Sequence, residues 1–466
     1  MDELLPNLSK KAKQPLYIQL YNYIKEEILA GRIKSKEKLP SKRKLSQHLG
    51  ISLNTVQAAY DQLCAEGFIE RKPRQGLFVT LMEEDLSPYQ MNEPKMEVIK
   101  VHEQTTIDFN SGKVDTAHFP FTLWRQLTVQ SLYREQGNLF YNGDPQGEPY
   151  LRQEIAKYLF ASRGVICSPD QIVIGAGTQL LIGLLCLIIG RNFTFAIENP
   201  GFHRIRTVLQ DQGVNTAFIP LDYNGIDVHL LSNTDAHVAY VTPSHQFPYG
   251  MVMPISRRIE LLKWAEERDA YIVEDDYDGE YRYKGKPIPS LQGLDAREHV
   301  IYLGSFSKSL IPSLRISYMV LPPALLNKYQ ERFMIYKQTV SRLHQDTLFQ
   351  FMKEGHWERH LNRMRTLYRK KHHVLLLSIN KYMKSHVKII GEHAGLHIVL
   401  EVNNRMSEKE LIESAIYVGV KIYPLSIYYT DVEKELLPKV ILGFGGLSES
   451  EIEKGIQLIA EAWNIL

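Results

Sequence analysis

Apolar residues recur every four positions at Leu16, Leu20, Ile24 and Ile28, with Tyr17 and Tyr21 beside them. That spacing predicts an amphipathic helix, opened by Pro15 and closed by Gly31. A shorter helix is predicted from Pro40-Ser41 through Leu45 and Leu49 to Gly50. In a third, Val56, Ala59, Tyr60 and Leu63 fit i, i+3, i+4, i+7 behind Ser52 as N-cap, and Gly67 stops it. Phe68-Ile69 and Leu77-Phe78-Val79 read as two short strands around Arg71-Lys72-Pro73-Arg74-Gln75-Gly76. Three helices and a basic hairpin describe a winged helix-turn-helix, with the third helix in a major groove.

From Met82 to about Thr106 no helical or strand period persists, and Glu83-Glu84-Asp85-Leu86-Ser87-Pro88 is acidic and turn-prone. The pattern divides the chain into a reader of residues 1–82, a linker of residues 83–106 and a body of residues 107–466. In the body, apolar strands alternate with helical stretches. An α/β fold is expected, mostly parallel, with helices on both faces of the sheet. Gln171–Ile174 is one strand, followed by Gly175-Ala176-Gly177-Thr178-Gln179 and a helix over Leu180–Ile189. Tyr271–Glu274 is another, running into Asp275-Asp276-Tyr277-Asp278. Val300–Leu303 leads into Gly304-Ser305-Phe306-Ser307-Lys308-Ser309-Leu310, with Arg315 seven positions past the lysine.

Composition adds limits. The 466 residues are 44% hydrophobic and 23% charged, as in ordinary soluble proteins of two or three domains. Cys64, Cys167 and Cys186 are scattered and form neither a disulfide framework nor a metal spacing, so a reducing cytoplasm fits. No signal peptide is visible. The most apolar run, Leu180–Ile189, falls far short of the ~20 residues that cross a bilayer, so no membrane partner is expected. Charge changes the picture more. Residues 1–82 carry 14 Lys+Arg against 8 Asp+Glu, and the remainder 41 against 45. A polyanion partner is implied for the reader alone.

The candidate chemistry lies at three strand ends. In an open α/β sheet, ligands sit at the carboxyl ends of strands, so Gly177-Thr178, Asp275-x-Tyr277 and Lys308 are expected on one edge. A desolvated lysine has a lowered pKa and attacks aldehydes. Ser305, Ser307, Arg315 and the glycine-rich turn at a helix N-terminus suit a phosphate. Asp275 suits a pyridine nitrogen, and Tyr277 a phenolic oxygen. Together they point to pyridoxal 5′-phosphate (PLP) held as an imine on Lys308.

Two resemblances extend this. Lys38-Leu39-Pro40-Ser41-Lys42-Arg43, Gly50-Ile51-Ser52, Thr55-Val56, Ala59-Tyr60, Glu66-Gly67 and Gly76-x-Phe78-Val79 resemble the signature of GntR-type regulators. The resemblance implies DNA contacts by Ser41, Lys42 and Arg43, by Asn54, Thr55 and Gln57 on the third helix, and by Arg74 on the wing. Leu53 stands where that family usually has arginine, and Lys42 and Lys44 are the candidates to compensate. The body resembles fold-type I aminotransferases throughout, which implies a smaller C-terminal α+β subdomain. By that resemblance Asp275, Tyr277, Lys308, Arg315, Ser305, Ser307, Gly177 and Thr178 hold PLP. Phe202 stacks on its ring. His245 or Gln246 replaces a missing asparagine. Tyr141 reaches a neighbouring subunit's phosphate, so a homodimer is expected.

A reader, a linker and an aminotransferase-like body together resemble MocR/GabR-type regulators, which form head-to-tail dimers. Arg204 then matches one ligand-clamping arginine, but Ile427 and Gly446 stand where others are expected. The γ-aminobutyrate response is therefore not carried over; another amine, or PLP itself, is the expected signal. Three functions compete: a PLP-dependent transcriptional regulator, a working aminotransferase with an appended reader, and a DNA reader whose body only dimerises. The missing clamps favour the first over the second, because turnover must orient two acids in turn. The lysine–aspartate–tyrosine set disfavours the third.

Overall fold

The structure is a computed structural model that describes residues 8–9, 12, 14–80, 107–134, 137–283, 288–430 and 438–465. The expected linker, residues 83–106, lies outside the described residues. The chain separates into two units, residues 1–102 and 103–466.

The first unit holds α1 (Leu16–Leu29), α2 (Lys42–Leu49), α3 (Leu53–Ala65), β1 (Ile69–Lys72) and β2 (Gly76–Val79). Its core is Leu20, Ile24 and Ile28 of α1 packed on Leu45, Val56, Ala59, Tyr60, Leu63, Ile69 and Val79. Ser41 and Ser52 cap α2 and α3, accepting from the Lys44 and Thr55 amides at 3.2 and 3.1 Å. Such caps satisfy amide groups that the first turn leaves open. β1 and β2 form the expected antiparallel hairpin. One feature was not expected. Residues 36–39 run along the other side of β2, with the Lys36 and Leu39 amides on the Val79 and Leu77 carbonyls at 2.9 Å each. Backbone pairing of this kind leaves no side-chain period for a sequence to show.

The second unit is built on an eight-stranded sheet. In chain order its strands are β4 (Ile172–Gly175), β5 (Thr194–Asn199), β6 (Asn215–Asp222), β7 (Gly225–Ile226), β8 (Ala236–Val241), β9 (Tyr271–Asp276), β10 (Val300–Ser305) and β11 (Ser317–Val320). The spatial order is β4-β11-β10-β9-β8-β5-β6-β7. The five strands from β10 to β6 are parallel to one another, while β11 runs antiparallel to both of its neighbours. Side chains alternate between two covered faces. Ile172, Ile174, Tyr302 and Tyr318 pack with α5 (Pro149–Arg163) and α11 (Arg342–Lys353). Val173, Ile301, Leu303 and Met319 pack with α6 (Thr178–Ile189), α7 (His203–Asp211) and α10 (Pro323–Arg332).

A smaller antiparallel sheet follows, ordered β12 (Val387–Ile390), β13 (His397–Val402), β16 (Lys439–Gly443), β15 (Tyr423–Pro424). It is backed by α12 (His356–Tyr382) and α14 (Glu449–Ala462). The first described residues of this unit belong to the same region: β3 (Ile107–Asp108) pairs in parallel with β14 (Val420–Lys421). The large parallel sheet and the smaller C-terminal α+β part both match expectation. Among the described residues, no helix is long and apolar enough to cross a membrane.

Candidate functional site

Strand register brings the predicted residues to one edge. Leu303 and Gly304 of β10 face Asp275 and Asp276 of β9, Ser305 faces Ser317 of β11, and Ser317 faces Gly175 of β4. The Gly175–Thr178 turn, Asp275 and the Ser305–Lys308 loop therefore leave the sheet along one row of strand ends.

The lysine is half-buried. Its ammonium donates to the Ser111 carbonyl. Burial lowers its pKa to about 8; Asp278 works against the shift and Arg204 with it. Asp275 is buried, and its Oδ2 accepts from the Tyr240 hydroxyl on β8. Its other oxygen, Oδ1, is buried with no partner. Burial raises this carboxyl to about 7; the Tyr240 bond opposes that, and Asp276 and Asp278 add to it. Asp276 has a different task. Successive side chains point to opposite sheet faces, and Asp276 pairs with Arg163 at 2.6 Å and accepts from Tyr302 at 2.6 Å.

Tyr277 is buried, with its hydroxyl 2.9 Å from His245 Nδ1. The same nitrogen lies 3.0 and 3.1 Å from the two Asp278 oxygens. A proton on Nδ1 bonds Asp278 and leaves the Tyr277 hydroxyl free to donate elsewhere. His245, Asp278 and His397 bring their polar atoms within 4.8 Å of one another. His397 Nε2 is engaged by the Pro248 carbonyl at 2.9 Å, so the cluster reads as a hydrogen-bonded set. The open choice between His245 and Gln246 is narrowed. The Gln246 amide bonds Glu198, the Pro200 carbonyl and the Phe247 carbonyl, leaving His245 as the neighbour of Tyr277.

The residues expected to hold an anion lie close together. Gly177, at φ +104°, precedes α6, and Arg315 reaches the Ala176 carbonyl at 3.3 Å. A Cβ on Gly177 would lie 2.1 Å from Arg315 Nη2, so the two residues are in contact. Ser305 Oγ accepts from the Ser307 amide at 3.2 Å and from the Ser317 hydroxyl at 2.9 Å. Phe202, one residue before α7, packs on Phe247 with ring centroids 4.4 Å apart and lies 6.0 Å from Tyr277. Arg204, in the first turn of α7, is exposed. Tyr141 is 74% exposed, and its carbonyl accepts from Arg342 at 3.3 Å.

Tyr240, Asp278, His397, Ser111 and Ser317 were missed in the sequence. Each meets its partner across strands or from a distant loop, and pairing of that kind has no local signature. On the reader, Arg43, Asn54 and Arg74 are exposed, and Thr55 and Lys42 half-buried. Two of the expected DNA-contacting side chains also bond within the reader. The Ser41 hydroxyl is used as a cap. Gln57 accepts from Lys42 and donates to Asp61.

Residues 16–79 match the model for bacterial regulatory proteins of the gntR family, and residues 104–443 that for aminotransferase class I and II. An uncharacterized HTH-type transcriptional regulator of Bacillus subtilis, YdeL, is 47% identical over 99% of this chain and 100% of its own. A probable rhizopine catabolism regulatory protein of Rhizobium meliloti, MocR, is 31% identical over 98% of this chain and 95% of its own. The crystal structure of Pyrococcus horikoshii kynurenine aminotransferase superposes with a TM-score of 0.68 at 26% identity, over 77% of this chain and 91% of its own. Every expected level of resemblance is thereby met, and the chain belongs to the MocR-type GntR regulators, in which a helix-turn-helix reader is joined to an aminotransferase class I and II body.

Proposed function

We propose that this protein is a cytoplasmic transcriptional regulator that binds double-stranded DNA through its reader, residues 1–82, and holds PLP on Lys308. The observation that carries the proposal is the shared edge of Lys308, Asp275, Tyr277 and the Gly177–Arg315 cradle. Three features support PLP as the group that fits. Asp275 Oδ1 is buried without a partner and suits a pyridinium N–H. A lysine whose pKa is lowered to about 8 keeps part of its amine neutral at physiological pH. Thr178, Ser305, Ser307 and Arg315 offer donors for a phosphate beside Gly177, whose own amide donates to the Gly175 carbonyl at 2.8 Å.

PLP supplies an aldehyde that links to primary amines and a ring that withdraws electrons. The protein's part is to place it. Asp275, fixed by Tyr240, would hold a proton on the ring nitrogen. Tyr277, with the His245–Asp278 pair beside it, would donate to the ring oxygen. Phe202 would cover one ring face. Exposed apolar side chains on the body support a homodimer: Phe140 and Ile335 are each 80% exposed, and Tyr141 sits beside Phe140. In such a dimer Tyr141 would reach the phosphate held by the partner subunit.

The test is a visible spectrum of the PLP-loaded protein and of Lys308→Ala, each followed by titration onto DNA from upstream of the gene. The expected results are an absorbance band lost in the variant, sequence-selective DNA binding by wild type, and little turnover with any amino donor. Efficient multiple turnover with a keto acid acceptor, without selective DNA binding, would identify the working enzyme instead.

A further inference from the structure

The first turns of α12 carry His356, Arg359, His360 and Arg363 at i, i+3, i+4 and i+7, so all four lie on one face of the helix. That face lines a cavity of about 240 Å³. Its other walls are Pro120, Leu123 of α4 (Phe121–Arg134) and Phe351 of α11. Phe351 packs against both histidines, with ring centroids 5.8 Å from His356 and 6.2 Å from His360. The cavity thus has an apolar floor and a basic rim.

The rim is ordered by hydrogen bonds. Arg359 donates to the Glu354 carbonyl at 3.0 Å and to His356 Nδ1 at 2.8 Å. Arg363 donates to the His118 carbonyl and reaches His360 Nδ1 at 3.5 Å. All four bonds run from Nη2, and each ends on a carbonyl or an imidazole nitrogen. A guanidinium has five N–H groups, so both exposed arginines keep donors and charge for an oxyanion. The histidines are held from their far sides. His356 Nε2 faces the Glu354 carboxylate at 3.2 Å, and His360 Nε2 donates to the Ser309 carbonyl at 2.8 Å. With the proton on Nε2, each ring turns Nδ1 to its arginine as an acceptor. Burial also lowers the pKa of His360, which favours the neutral ring. The histidines aim the guanidiniums, and the arginines supply the charge.

We propose that this cavity binds a carboxylate that carries an apolar body the size of one aromatic ring. The carboxylate pairs with Arg359 and Arg363, and the body lies on Pro120, Leu123 and Phe351. A cavity of roughly 150 Å³ admits benzene, so about 240 Å³ leaves room for a ring and its carboxylate. A bare anion would leave the apolar floor in water, and a neutral ring would leave both guanidiniums unused. The site lies apart from the residues assigned to PLP and stands without that assignment. Its back wall, His360, is one hydrogen bond from Ser309, the residue after Lys308.

The test is a fluorine NMR titration of the full-length chain with 4-fluorobenzoate and with 4-fluorobenzyl alcohol, which lacks the charge. The benzoate should bind at least about ten-fold more tightly than the alcohol, the discrimination expected from one charge-assisted bond. Inorganic phosphate should displace it only at concentrations about ten-fold or more above the benzoate Kd, because phosphate leaves the floor uncovered. Arg359→Gln and Arg363→Gln should each weaken the benzoate by about five-fold, a smaller factor because both side chains are screened by solvent, and leave the alcohol unchanged. Both positions are exposed, so both variants should keep the wild-type Tm. No binding of the benzoate, equal binding of the alcohol, displacement by phosphate at equal concentration, or benzoate binding that survives both arginine changes would overturn the proposal.

Discussion

Gly177 offers a clean way to disturb the anion cradle without removing any charged residue. An alanine Cβ there would lie 2.1 Å from Arg315 Nη2 and 2.7 Å from its Cζ. Arg315 is exposed, so its guanidinium moves aside before the strand ends do. The backbone cost of a side chain at φ +104° is about 1–3 kcal/mol, small enough for a body of this size to stay folded. The lost guanidinium–phosphate bond is worth about 1.5–3 kcal/mol, which raises the Kd for PLP roughly 10- to 150-fold. The assay is equilibrium titration of cofactor-free protein with PLP and with pyridoxal, which lacks the phosphate. Gly177→Ala should weaken PLP by that factor and leave pyridoxal nearly unchanged. In an Arg315→Ala background it should add little, because both changes remove one contact. Equal weakening of the two ligands would refute the assignment of the cradle to phosphate.

Three further outcomes follow from the geometry. Burial raises Asp275 to about 7 in the cofactor-free protein, above its unfolded value; its contribution to stability is present below about pH 4 and lost as pH rises through 7. The gain in Tm on adding PLP should therefore grow from pH 5 to pH 8, and Asp275→Asn should flatten that trend. Arg43→Ala should lower the slope of log K against log salt by about 0.9 while the visible spectrum of the PLP-loaded protein stays unchanged, as measured by fluorescence anisotropy and absorbance. Arg163→Met strands the buried Asp276 carboxylate, which is also held by Tyr302, and should destabilise the body by about 3–5 kcal/mol in urea unfolding. Pairing it with Asp276→Leu should recover part of the loss.

The helices of the reader were legible to within about a residue because the period, the caps at Ser41 and Ser52 and the stops at Gly50 and Gly67 all agree. In the body, short apolar runs ending in glycine or acidic residues marked β4, β9 and β10, and hence the edge that carries Lys308. What could not be read was cross-strand and long-range contact. Tyr240 bonds Asp275 only because β8 lies beside β9, and Ser317 meets Ser305 only because β11 is inserted antiparallel between β10 and β4. Gln57 illustrates the converse. Its place on α3 was legible, but its hold by Lys42 and Asp61 depends on the packing of α2 against α3.

The bond from Lys308 to Ser111 joins two things that the chain keeps nearly two hundred positions apart. Ser111 lies four residues after Ile107, and Ile107 is tied through β3 and β14 to the small C-terminal sheet region. The Phe109 carbonyl accepts from Gly443 of β16 at 2.8 Å, and Asn110 donates to Tyr423 of β15 at 2.8 Å. Residues 107–111 are thus anchored at one end in the small C-terminal sheet region and at the other on the Lys308 amine. Lys308 acts as a clasp. A group bound to the Lys308 nitrogen would compete with the Ser111 carbonyl for it.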